Sequence, residues 1–193
     1  QPVIIEYLRR YPQMHIDLVT DARLIDIVAD GFDAGFRLAE AVPQDMVSVR
    51  LGPDVRLLVV CSPDYLARQN AVPQTPHDLL SHACIRYRFT SGKLYRWEFE
   101  RDGKSVVLDV GGPLTLDSPL LMAEAALHGV GIAYVYEGYV REHLQNGRLV
   151  QLLPDWTPVY DGLCLYYPRQ RHITAALRAF IDLAKEARGA FAY

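Results

Sequence analysis

"LTLDSPLLMAEAALHGVGIAYVY", Leu114 to Tyr136, reads as a strand that runs straight into a capped helix and then out into a second strand. Ser118 stands where an N-cap side chain accepts a backbone N–H, and Pro119 suits the first helical position, where no donor is needed. Gly129 fits the C′ position that closes the helix, and Gly131 suits close packing at the start of the next strand. A dinucleotide site needs strand, glycines and then helix; here the glycines follow the helix, so none is expected. A strand feeding a helix start leaves backbone N–H groups at the strand end. That arrangement either receives an anion or is satisfied by its cap alone. Tyr134 and Tyr136 share one face of the second strand. They either offer aromatic surface to a ligand or pack inside the fold.

The flanking sequence continues the alternation of helix and strand. Val3, Ile4, Tyr7, Leu8 and Tyr11 follow helical spacing until Pro12 stops them. "MHIDLVT" alternates like a strand. Asp21 is placed to cap a helix carrying Leu24, Ile27 and Val28, with Gly31 at its C′ position. "FDAGFRL" then sets Phe32, Ala34, Phe36 and Leu38 on one buried face. Arg37 goes to the opposite face, either as a surface arginine or turned toward a ligand. This order predicts an α/β fold with a mainly parallel sheet. "MVSVRLGPDVRLLVVCSP" gives two strands around a turn, and Ser62-Pro63 opens a short helix. "YRWEFERDGKSVVLDV" is a hairpin turning at "RDGK". The closing helix carries Ala176, Leu177, Phe180, Ile181 and Ala184 as one stripe. The middle, residues 61–163, reads as a second lobe inserted into a first lobe built from 1–60 and 164–193. Two crossings make a hinge, and the cleft between such lobes is a natural ligand site.

Composition narrows the function. The chain has 193 residues, 50% hydrophobic and 22% charged, with a net charge of −3. That is a globular profile without the basic face of a free-standing nucleic-acid binder. The apolar runs "LLVVC" and "GVGIAYVY" are far short of the ~20 residues that cross a bilayer. Cys61, Cys84 and Cys164 are odd in number and show no CxxC, so they predict buried free thiols and a reducing, cytoplasmic setting. A redox pair of Cys61 with Cys164 is the alternative. The six histidines have no metal-ligand spacing. There is no GxSxG elbow, and Asp21, Asp26, Asp30 and Asp33 span helix and strand as caps and solvated acids. No enzyme, metal or cofactor is expected.

"YLRRYPQMHIDLVTDARLIDIVADGFDAGFRLA", "VVCSPDYLARQNAVPQTPHDLLSHACIRY", "WEFERDG", "LTLDSPLLMAEAALHGVGIAYV", "GRLVQLLPDW" and "LYYPRQRHITAALRAFIDL" occur in that order. The series resembles the effector-binding, or substrate-binding, domain of LysR-type transcriptional regulators across essentially the whole chain. The resemblance implies a type 2 periplasmic-binding-protein fold, with two lobes, a hinge and a small-molecule effector in the inter-lobe cleft. It sets Thr20, Asp21 and Arg37 toward the effector on the first lobe. On the second it sets Thr90, Ser91, Asp117, Ser118, Gly131 and Tyr134. Tyr136 stands near where many relatives carry a Leu-Pro pair, which adds bulk and a hydroxyl there.

The resemblance also implies a head-to-tail homodimer or homotetramer. Val3, Ile4 and Leu8 are interface candidates, though they equally suit intrachain core. DNA contact is expected only through an N-terminal winged helix-turn-helix, which this chain does not contain; nor does it contain the strand expected before the first helix. An aromatic or carboxylic acid is the expected effector class. The rival reading is an extracytoplasmic solute-binding protein of a transport system, which would share the fold.

Overall fold

The computed structural model describes residues 2–20, 26–169 and 173–186. Asp21 and Leu24 lie outside the described residues. The chain forms two compact units, one from residues 1–55 and 160–193 and the other from residues 56–159.

The first unit holds α1 (Pro2–Arg10), β1 (Gly35–Leu38), β2 (Met46–Arg50), β11 (Leu163–Pro168) and α5 (Ala175–Glu186). Its sheet runs β1-β11-β2, and both pairings are antiparallel. The two helices supply the apolar face this sheet needs. Val3 and Tyr7 of α1 pack with Phe180, Ile181, Leu183 and Ala184 of α5 over Leu165. The Tyr7 hydroxyl donates to the Ala176 carbonyl at 3.0 Å, which satisfies its polar end inside that core.

Two expectations change here. "MHIDLVT" is not a strand: residues 14–20 have no regular structure, and Met14, Leu18 and Val19 are exposed. Alternation alone makes no strand; a neighbouring edge must accept its backbone groups. Phe36 is not buried either but 38% exposed. It lies on an edge strand and meets Phe180 edge-on at 6.3 Å, leaving its outer side open. The end of the segment before β1 matches its reading. Gly31 has φ +79°, the Phe32 N–H donates to the Ile27 carbonyl at 2.8 Å, and the Gly31 N–H donates to Val28 at 3.2 Å. These two bonds are the Schellman closure of a helical turn.

The second unit holds β3 (Val55–Cys61, entering from the first), α2 (Pro63–Ala67), β4 (Cys84–Tyr87), β5 (Trp97–Arg101), β6 (Lys104–Leu108) and β7 (Leu114–Leu116). It continues with α3 (Pro119–Leu127), β8 (Ile132–Tyr136), α4 (Glu137–Gln145), β9 (Val150–Leu152) and β10 (Val159–Tyr160). The main sheet runs β10-β3-β8-β4-β7, with β9 also on β3. β4 pairs parallel with β7 and β8, whereas β3 pairs antiparallel with β8 and β9, so the sheet is mixed rather than mainly parallel.

Both faces of this sheet are covered, which is why its strands read as continuous apolar runs. Val59, Cys61, Ile132 and Tyr134 face Trp97, Phe99 and Leu108 of the β5–β6 hairpin. Leu58, Val60, Ala133 and Val135 face Met122, Ala123 and Ala126 of α3 and Val140 of α4. The hairpin turns at Asp102 and Gly103, with φ of 52° and 73°. Positive φ at both centres is the type I′ geometry that "DG" favours.

Candidate functional site

Within the second unit, β4, β7 and β8 run parallel, so their C-terminal ends lie along one edge. Tyr87 is level with Leu116, and Ile85 with Ala133, which sets Tyr87 near the level of Val135. Ligands of open α/β sheets bind outside such carboxyl ends. Three of the expected residues stand along this edge. Asp117 follows Leu116, Ser118 caps α3, and Tyr136 ends β8 at the start of α4. The Ser118 hydroxyl accepts the Leu121 N–H at 3.5 Å, so the cap is made. Thr90 and Ser91 are exposed in the turn beyond β4, which Gly92 closes with its N–H on the Phe89 carbonyl at 2.8 Å.

The structure does not bring Gly131 and Tyr134 to this edge. Gly131 stands just before β8, at its opposite end, where an added Cβ would run into the Ala83 carbonyl; close backbone packing explains the glycine. Tyr134 is 4% exposed. Its ring lies among Tyr95, Trp97 and Phe99 at 6.2, 5.3 and 5.4 Å, and its hydroxyl donates to the Glu98 carbonyl at 2.7 Å. The expectation that these two face the effector is corrected to a packing role, because alternation turns Tyr134 into the hairpin side of the sheet.

Sequence reasoning missed two tyrosines at the edge. Tyr87 meets Phe89 edge-on at 5.1 Å, and Tyr139 meets Tyr136 edge-on at 5.6 Å. The Tyr87 phenol is pushed above its ordinary range by burial, then by the negative charge of Asp117 and by that of Tyr139 in its phenolate form. A signal for both existed: Tyr87 is the last strand residue before the "FTSG" turn, and Tyr139 stands three positions after Tyr136, one helical turn on.

In the first unit, Thr20 is exposed, and Asp21 is outside the described residues. Arg37 leaves β1 on the face opposite Phe36, as expected, and its guanidinium lies over the Tyr166 ring. Val3 is buried in the unit's own core and Ile4 packs against it, which favours the intrachain reading for both. Leu8 is 37% exposed beside Ile5 at 67%. All three cysteines are free and buried. Burial pushes the Cys61 and Cys84 thiols up to about 12, away from the thiolate that redox chemistry needs. Among the described residues, no cluster of three or more His, Cys, Asp or Glu could hold a metal ion. No described helix is long and apolar enough to cross a membrane. An open groove of about 600 Å³ lies between the hairpin turn and Asp155–Val159, and shares no residue with the tyrosine edge.

The model of the LysR substrate binding domain matches residues 1–189. The chain belongs to the LysR substrate binding domain family. Among its relatives, the Escherichia coli K12 protein named uncharacterized HTH-type transcriptional regulator YcaN is 41% identical over 183 residues, 95% of this chain and 59% of that protein. The HTH-type transcriptional regulator PgrR of the same strain is 37% identical over 185 residues, 95% of this chain and 62% of that protein. This LysR-family chain thus spans about three fifths of the length of the curated relatives it matches.

Solved structures agree. The regulatory domain of CrgA, a LysR-type transcriptional regulator from Neisseria meningitidis, superposes with a TM-score of 0.76 at 25% identity, covering 96% of this chain and 90% of that one. The regulatory domain of AphB in Vibrio vulnificus gives 0.76 at 24% identity, with 96% and 89% covered. The fold is therefore the type 2 periplasmic-binding-protein fold of LysR regulatory domains. The relatives carry the names of transcriptional regulators and not of enzymes, and they lend no support to a transport role.

Proposed function

We propose that this chain is the effector-sensing and dimerisation part of a bacterial LysR-type transcriptional regulator that works in the cytoplasm. The observation that carries the reading is the family match through residues 1–189, joined to relatives named as HTH-type regulators. A winged helix-turn-helix elsewhere in the protein reads DNA. The effector is a small molecule, an aromatic or carboxylic acid. Arg37 offers the cation for a carboxylate, and the edge at Asp117, Ser118 and Tyr136, with Thr90 and Ser91 beside it, offers the polar and aromatic groups.

The effector acts by binding one arrangement of the regulator more tightly than another, since only a difference in affinity shifts an equilibrium. Such couplings are typically ~1–3 kcal/mol. The regulator pairs head to tail, as a homodimer or homotetramer, and the exposed Ile5 and Leu8 on α1 suit such a contact. The test is a mobility-shift assay of the full-length protein on DNA upstream of its own gene, with and without a metabolite panel. Specific DNA binding that one compound changes at least fivefold supports the proposal; absence of specific DNA binding sinks it.

A further inference from the structure

The C-terminal edge of β4, β7 and β8 gathers more aromatic and acidic surface than a cap and a strand end require. Tyr87 closes β4 level with Leu116, one residue before Asp117. Tyr136 closes β8, and Tyr139, one helical turn further, meets it edge-on at 5.6 Å. Tyr139 keeps 42% of its surface exposed, so the cluster is not sealed core. Asp117 puts a carboxylate beside Tyr87. Asp117 has no ion-pair partner among the described residues. Arg88 alternates to the face opposite Tyr87, and its guanidinium donates to the Gly92 carbonyl at 3.4 Å. Arg86 is turned to Asp109 and Arg141 to Glu137. Ring faces attract cations through their quadrupole, and several rings with a carboxylate form the usual receptor for an ammonium group.

We propose that Tyr87, Tyr136 and Tyr139, together with Asp117, form a cation-accepting aromatic site, and that the effector therefore carries an alkylammonium group beside its acid. This rests on the effector-sensing reading above and adds a chemical class to it. The amine lies against the tyrosine faces, and the Asp117 carboxylate accepts its N–H groups. Asp117 also suits the positive end of the α3 dipole. That role alone would change stability when the charge is removed, and would leave ligand choice untouched.

Calorimetric titration of the full-length protein with phenylalanine and with 3-phenylpropionate separates these roles, because the two differ only by the amine. Phenylalanine should bind at least about tenfold more tightly, and Asp117→Asn or Tyr139→Leu should erase the difference while the melting temperature stays within a few degrees. Equal or tighter binding of 3-phenylpropionate overturns the amine site and leaves the sensing function standing. Binding of neither, or a preference that survives both substitutions, overturns the amine site as well. The sensing function itself is tested separately, by the DNA assay above.

Discussion

The guanidinium carbon of Arg37 lies 5.0 Å from the centre of the Tyr166 ring, one strand away in the first unit's sheet. The ring is nearly buried, and an added Cβ on Gly35 would come within 2.6 Å of it. Arg37 is thus laid on a fixed platform rather than left to sweep through solvent. A cation over a ring contributes about 0.5–1 kcal/mol at a partly exposed site. Arg37→Ala should therefore keep the fold, with a small drop in melting temperature, and weaken an anionic effector about tenfold or more. Unchanged affinity by calorimetry removes Arg37 from the effector site.

Gly35 tests the same platform from below. A methyl group at this position would come within 2.6 Å of the ring of Tyr166, a buried residue. Gly35→Ala should cost about 1–3 kcal/mol, as overpacking does in cores. A denaturant midpoint unchanged from the parent protein would show that the ring is mobile.

Tyr134 separates packing from ligand contact in the second unit. Tyr134→Phe removes the hydroxyl that donates to the Glu98 carbonyl and keeps the ring among Trp97 and Phe99. Loss of one such bond should cost about 0.5–1.5 kcal/mol, with effector affinity unchanged. A variant of parental stability that binds effector poorly would return Tyr134 to the site.

Glu6 is held at about 2, well below its ordinary 4.5, chiefly by hydrogen bonds from Arg9 and then Arg10. A depressed carboxyl stabilises the folded chain above pH 4.5, and that contribution is lost as the pH falls toward about 2. The pair is exposed, so salt should screen it. Titration by NMR should show the Glu6 midpoint rise toward 4.5 in 1 M salt or in Arg9→Ala; a midpoint of 4.5 in the parent would contradict the pairing.

The buried thiols should resist labelling. Folded protein at pH 8 should react slowly with a maleimide at Cys61, Cys84 and Cys164, and all three should react on unfolding. Burial favours the neutral thiols of Cys61 and Cys84, so their contribution to stability is intact below about 9 and falls as the pH rises toward about 12. Fast labelling of the native chain would revive a redox role.

What could be read in the sequence was local. The "RDGK" turn, the caps at Ser62 and Ser118, and the closures at Gly31 and Gly129 each depend on a few adjacent residues, and each formed as read. The alternation of helix and strand was also legible, but its pairing was not. β11 enters between β1 and β2 from more than a hundred residues away, and hydrophobic pattern carries no record of which edge a distant strand will choose. The same limit misled the readings of "MHIDLVT" and of Phe36, since neither a missing partner edge nor an open sheet edge is written in alternation. At the candidate site, Asp117, Ser118 and Tyr136 lie close in one motif, whereas Tyr87 joins them only through the parallel pairing of β4.

The most direct measurement is a thermal-shift screen of the full-length protein against carboxylic acids, aromatic acids and amino acids. A ligand at 100 times its dissociation constant adds about 2.7 kcal/mol, worth about 5–10 °C for a unit of this size. The expected result is one chemical class that raises the melting temperature by this amount, with the shift cut to about half or less in Arg37→Ala. No shift with any compound, in a protein shown to be folded, would contradict effector sensing by this domain.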